Sequence, residues 1–241
     1  MEKIAFVSGS ATRLGLAIAN HLLDEGYGLI SHFHQNLVGV NLIQQRAISL
    51  KKPFYPIQAD FSSAAGIDGL LMGLDDFGQE LLCNVEVVVN AAAVMPRGDM
   101  GTLTTSELQK VFSINTFAPI LINQFFAARA TGKISIINIS DIGGQMIWNK
   151  FAAYSMSKYS LDRSALFLAK QFAPLVRVNT IGLGTIMASE WMDKGFIADL
   201  ISKIPAGRFA QMDELLSVID LLVQNEYITG QTINIDGGRS L

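Results

Sequence analysis

The chain has 241 residues, half of them hydrophobic and 16% charged, with a formal net charge of -3 and no run of like charges. That balance suits strands buried on both faces and offers no electrostatic footprint for nucleic acid or an anionic membrane surface. The single cysteine, Cys83, excludes an internal disulfide and a cysteine-based metal cluster, so no metal site is expected.

In chain order, short apolar runs at 4-9, 27-34, 54-60, 85-92, 133-140, 176-184 and 231-238 read as strands. Amphipathic stretches near 15-25, 38-50, 64-81, 104-130, 151-171 and 212-224 read as helices, several of them starting after Ser, Thr or Asp. This alternation predicts an α/β fold: a Rossmann-like, doubly wound parallel sheet of seven strands with helices on both faces, in a single domain spanning 1-241. The opening "MEKIAFVSGS" enters a strand without a long apolar leader, which with the cysteine usage predicts a reducing, cytoplasmic setting. Residues 111-128 carry no formal charge but include Asn115, Pro119, Asn123 and Gln124, which predicts a buried core or interface helix and no membrane span. The irregular stretch 185-211, with Met187, Trp191, Met192, Phe196 and Pro205, is expected to form a substrate lid at the carboxyl ends of the strands.

The first strand runs into "SGSATRLGLAIA" (8-19), where Gly9 and Gly15 bracket a loop, including Ala11 and Leu14, that opens a helix. Backbone N-H groups and the helix dipole suit a phosphate there. Arg13 either holds an additional phosphate or is a solvated surface arginine. An NAD site places an acid at the end of the second strand for the ribose 2′-hydroxyl, whereas this chain has "SHFHQN" (31-36) and no Asp or Glu between Tyr27 and Gln45. NADP(H) is therefore the expected cofactor, with His34, Gln35 and Asn36 beside Arg13 as candidate 2′-phosphate donors. Asp60 and Phe61 close the third strand, Asn90, Ala91 and Ala92 the fourth, and Gly184 and Thr185 the sixth, all at ends where a dinucleotide would lie.

Tyr154 and Lys158 stand four apart in a helical stretch and so share a face. A free tyrosine has a pKa of about 10, and a neighbouring cation favours the phenolate. With Gly9 to Gly15, Asn90-Ala91-Ala92, Asn115 and "ITGQTINIDGG" (228-238) in the same order, the chain resembles the short-chain dehydrogenase/reductase family over essentially its whole length. The resemblance implies that Tyr154 is the proton donor, that Lys158 binds the nicotinamide ribose and lowers the tyrosine pKa, and that Asn115 anchors a water in a proton relay. It also implies a homotetramer with the long helices at an interface.

Thirteen residues before the tyrosine, where the family usually has a catalytic serine, stands Asp141. With "ATRLG", "HFH", "IQADFS" (57-62) and "ITGQTINIDGGRSL" (228-241), this resembles the pteridine and dihydromonapterin reductases, in which NADPH delivers hydride to a pterin ring carbon. A carboxyl group can pair with the N-H edge of such a ring and move protons to a C=N bond; the other reading is an aspartate that caps the following turn. Pteridine reductases usually stack an aromatic residue on the pterin just after this "NA", where this chain has Val94 and Met95. Met95, Trp148 or Trp191 could cover the ring instead, and Met187 completes the candidate substrate residues. The expected activity is dihydropterin reduction; an NADPH-dependent carbonyl reductase for a ketone or 3-oxoacyl thioester, and a non-catalytic dinucleotide sensor, are the alternatives.

Overall fold

The computed structural model describes residues 2-187 and 193-241. Seven parallel strands form one sheet in the order β3-β2-β1-β4-β5-β6-β7: β1 (Ile4–Ser8), β2 (Gly28–Phe33), β3 (Phe54–Gln58), β4 (Val85–Asn90), β5 (Ile134–Asp141), β6 (Val176–Leu183) and β7 (Thr232–Ile235). The helices between them are α1 (Arg13–Asp24), α2 (Leu37–Ser49), α3 (Ala64–Asp75), α4 (Gly78–Leu82), α5 (Thr105–Phe112), α6 (Ala118–Ala128), α7 (Ala152–Gln171), α8 (Lys194–Ser202) and α9 (Met212–Gln224). Successive strand residues point to opposite faces, so Ile4, Phe6, Val88 and Ile136 pack in one apolar core while Ala5, Val7, Val87, Val89 and Ile137 pack in the other. Both faces are covered, as the near-continuous apolar strands require.

Three expectations change in detail. The stretch expected as one helix over 64-81 divides into α3 and α4, because Gly78 adopts φ +79, a left-handed conformation that breaks the ladder. The expected helix over 104-130 runs as α5, a π-helical turn over Ser113–Phe117, and α6. Pro119 has no N-H to give the Asn115 carbonyl four residues back, so α-type bonding fails there and the backbone takes the wider turn. This apolar segment, Thr105–Ala128, is the one candidate span among the described residues by length and composition, and 67% of its most apolar window is buried inside the protein. The expected irregular 185-211 contains α8, started by Asp193, whose side chain accepts from the Phe196 N-H at 2.8 Å. A capping aspartate followed by a short apolar helix was the available signal.

The chain runs outward from β1 to β3 and then crosses back to lay β4 against the other side of β1. The crevice at that reversal, at the carboxyl ends of β1 and β4, is where open α/β sheets bind ligands.

Candidate active site

A cleft of about 1420 Å³ opens at this reversal, lined by the loop after β1, the ends of β2 to β6, the segment before α7, α8 and Arg239. Its nucleotide half is tightly built. Gly9 has φ +66, and a Cβ there would lie 2.8 Å from the Ala92 backbone, while one on Gly15 would lie 2.1 Å from the Gly9 carbonyl. Glycine is needed at both places for the loop to fold this close to α1 and to the segment after β4. Ser8 Oγ accepts from the N-H groups of Ala91 and Ala92 at 3.1 and 3.2 Å, joining the ends of β1 and β4.

His32, on the inward side of β2, was not singled out in the sequence. Its Nδ1 accepts from the Gly9 N-H at 3.2 Å, its Nε2 lies 3.2 Å from the Ala59 carbonyl, and its ring stacks on Phe61 at 4.0 Å. These partners require the Nε2-H tautomer. Burial lowers its pKa to about 4, so at neutral pH it is an uncharged brace between the ends of β1, β2 and β3. The difference between the two histidines is one of position: His32 lies inside β2 and is buried, whereas His34 follows the end of the strand and is exposed.

Arg13, at φ 45, His34, Gln35 and Asn36 are exposed along the cleft beside Ala11 and Leu14, and no carboxylate stands at the end of β2. Asn36 also has a structural part: its amide donates to the Ala11 carbonyl at 2.9 Å and its oxygen accepts from Gly39 N-H at 3.1 Å. It caps α2 and holds the glycine loop. Asp60, 3.7 Å from His34, lies in the wall, its carboxyl held below the usual range by the Ser62 hydrogen bonds. Asn90 also corrects an expectation. Its side chain turns into the core, donating to Asn123 at 2.6 Å and Asn138 at 3.0 Å, so its place at a strand end does not bring it to the cleft.

At the reactive half, Tyr154 and Lys158 lie on the buried face of α7, 6% and 2% exposed. The Tyr154 hydroxyl donates to Asp141 Oδ2 at 2.9 Å, while Asp141 Oδ1 accepts from the Gly143 N-H at 2.6 Å. Asp141 thus both caps the turn after β5 and faces the phenol; the two sequence readings describe one side chain. Lys158 Nζ donates to the Ile139 carbonyl at 2.8 Å and lies 5.8 Å from the Tyr154 ring centre. Burial lowers the Lys158 pKa to about 8, opposed by Asp141 and Asp162. The expected lowering of the tyrosine pKa is reversed: burial, and then Asp141, raise it well above its ordinary value. The carboxylate oxygen touches the hydroxyl, whereas the ammonium sits farther off against a carbonyl. Burial also raises the Asp141 carboxyl, against the Gly143 N-H, Tyr154, Lys158 and Arg239.

Asn115 stands in the π turn behind the cleft wall. Its Oδ1 accepts from Val94 N-H at 2.9 Å, and its Nδ2 donates to the Val94 carbonyl at 2.9 Å and Ser157 Oγ at 3.0 Å. The side-chain amide thus holds Val94, while the Asn115 backbone carbonyl has no N-H from Pro119 to accept. Val94, Met95, Trp148 and Met187 all line the cleft, as do Gly184 and Thr185, while Trp191 lies outside the described residues. The Val94 and Trp148 walls are tied by Gly98 N-H to the Lys150 carbonyl and Ala152 N-H to the Gly98 carbonyl, both at 3.0 Å. Phe196, from the stretch expected as a lid, lines the cleft as well, and sequence reasoning missed Phe151 and Arg239 there. Among the described residues no group of His, Cys, Asp and Glu is arranged to hold a metal.

The family model described as enoyl-(acyl carrier protein) reductase matches residues 9-240. The chain belongs to the short-chain dehydrogenase/reductase family. Dihydromonapterin reductase from Klebsiella pneumoniae is 26% identical over 98% of this chain and 95% of its own length. Diacetyl reductase [(S)-acetoin forming] from Staphylococcus epidermidis is 27% identical over 99% of this chain and 98% of its own. FolM alternative dihydrofolate reductase 1 from Brucella suis, solved with NADP, superposes with a TM-score of 0.88 at 25% identity, covering 99% of this chain and 95% of its own. This short-chain reductase is an NADP(H)-dependent oxidoreductase. The glycine cradle that any Cβ would fill, and the acid-free end of β2 beside Arg13, fit that cofactor.

Proposed function

We propose that this reductase reduces a C=N bond of a dihydropterin or a related planar heterocycle. The observation that carries the reading is the Tyr154 to Asp141 hydrogen bond of 2.9 Å, which puts a carboxyl group where the family usually has a serine. A hydroxyl suits a carbonyl oxygen becoming an alkoxide; a carboxyl suits a ring N-H edge and a nitrogen that must gain a proton. The relatives named dihydromonapterin reductase and the FolM structures support the same substrate class at low identity.

NADPH, when bound, supplies the hydride to the imine carbon. Gly9, Gly15, the start of α1 and Arg13 bind its phosphates, with His34 and Gln35 beside the 2′-phosphate. Asp141 accepts from the substrate's N-H edge, and the Tyr154-Asp141 pair delivers one proton to the imine nitrogen. With its pKa near 8, Lys158 is mainly charged at pH 7; it orients the nicotinamide ribose and stabilises the pair as its proton leaves. Asn115 keeps Val94, and Trp148 the opposite wall, in place over the ring.

The test is NADPH oxidation by the purified protein with dihydromonapterin or dihydrobiopterin, against a panel of ketones. The reading expects turnover with the pterins at a kcat/KM well above that of any ketone. The relative named diacetyl reductase favours a second reading, carbonyl reduction; ketones turned over while pterins are inert would establish it.

A further inference from the structure

Arg239 has no part in the roles above, yet it enters the reactive half of the cleft. It comes from the turn that follows β7. Asp236 folds that turn by accepting from Gly238 N-H at 2.9 Å and Ser240 N-H at 2.8 Å, and its carbonyl accepts from Arg239 N-H at 3.2 Å. Gly237 and Gly238, at φ +63 and +85, supply the left-handed steps. The turn is seated against the end of the α8 segment: Ala206 N-H donates to the Gly237 carbonyl at 2.9 Å, and a Cβ on Gly237 would lie 2.7 Å from Ile204. The backbone under Arg239 is therefore held from two sides.

The side chain is part-buried, lines the cleft with Asp141 and Tyr154, and makes one hydrogen bond, Nη1 to the Leu200 carbonyl at 3.3 Å. A guanidinium has five N-H donors and no acceptor. Among the described residues the others have no partner. Its charge acts on Asp141, opposing the effect of burial there. The same wall of the cleft thus presents an acceptor, Asp141, and a cation rich in unspent donors.

We propose that Arg239 is a specificity residue that binds the ring carbonyl oxygen of the substrate while the imine end meets Tyr154 and Asp141. The preferred substrates are then cyclic amides conjugated to an imine, carrying an N-H edge and an oxygen on one ring system. A simple ketone presents its only oxygen to Tyr154 and has nothing left for Arg239. This rests on the dihydropterin reading and adds to it which second group of the ring is recognised.

The test compares wild type with Arg239→Met and Arg239→Lys in NADPH oxidation, using a dihydropterin, its analogue lacking the ring oxygen, a monoketone and diacetyl. A charge-assisted hydrogen bond of ordinary strength predicts that Met raises the dihydropterin KM roughly ten- to a hundred-fold, with a much smaller change in kcat and in the NADPH KM. Lys should be intermediate, since it keeps the charge without the fork. In wild type the analogue should show the same raised KM, and Arg239→Met should add little to it. An unchanged dihydropterin KM in Arg239→Met, or an equal loss for pterin, analogue and NADPH, overturns the proposal. If Met lowers the melting temperature, Arg239→Lys decides: a KM in that variant equal to that of wild type for both dihydropterin and analogue overturns the fork contact. Wild type that turns over diacetyl and no pterin is a different outcome, which removes the proposed function itself and this inference with it.

Discussion

At the residue scale, the chemistry concentrates on two buried side chains, Tyr154 and Lys158, and two part-buried carboxyls, Asp141 and Asp162. The phenol donates to a carboxyl whose own pKa is raised by burial, so the pair shares a proton in a desolvated place. Asp141→Asn keeps the shape but removes the acidic proton site, and Tyr154→Phe removes the other half. Each is expected to lower kcat for dihydropterin by roughly 10²- to 10⁴-fold, the usual span for a positioned acid, with the KM for NADPH little changed in steady-state assays. Asp162, one helical turn beyond Lys158, is raised to about 6, chiefly by burial. Its folded pKa lies above the unfolded value of about 3.9, so its contribution to stability is present below that value and is lost as the pH rises through 6. Asp162→Asn should therefore raise the melting temperature by a few degrees at pH 8 and give no gain at pH 4. The same change removes a charge that supports the Lys158 ammonium, so the alkaline limb of the pH-rate profile should move to lower pH.

At the element scale, the π turn between α5 and α6 places Asn115, and Asn115 places Val94. Asn115→Ala leaves the Val94 N-H and carbonyl without their partners. It should cost about 1–3 kcal/mol in urea denaturation and raise the substrate KM more than that for NADPH, because Val94 borders the reactive half. Much of this level is legible in the sequence. Tyr154 and Lys158 follow from helical spacing, and Gly9 and Gly15 from a strand-to-helix turn. The break at Gly78 is not legible, since a glycine at φ +79 looks in sequence like any glycine inside a helix. Asn90 and Arg239 mislead for a related reason. Asn90 ends β4 but turns into the core to meet Asn123 and Asn138, and Arg239, in the turn after β7, is brought to the cleft by contacts of that turn with residues 204-206, far away in the chain. Side-chain direction and long-range seating are tertiary properties that local pattern does not carry.

At the scale of the whole molecule, the sheet reversal between β1 and β4 gathers residues from nearly every strand end into one cleft. Cofactor and substrate walls are thus set by the same core, and ligand binding should be felt by the whole fold. A ligand that binds only the native state at a hundred times its Kd stabilises it by about 2.7 kcal/mol. NADPH is expected to raise the melting temperature clearly more than NADH at equal concentration, and Arg13→Ala should narrow that difference; equal shifts in the native protein would contradict the assignment of the 2′-phosphate to Arg13 and the end of β2. The central claim is that the carboxyl of Asp141 selects a nitrogen acceptor over an oxygen one. The most direct measurement is the ratio of kcat/KM for dihydropterin to that for diacetyl, with NADPH, in wild type and in Asp141→Ser. The account predicts a ratio above one in wild type that falls at least about tenfold in the serine variant, through loss of pterin reduction. A ratio unchanged by the substitution, with the variant folded and binding NADPH, would contradict it.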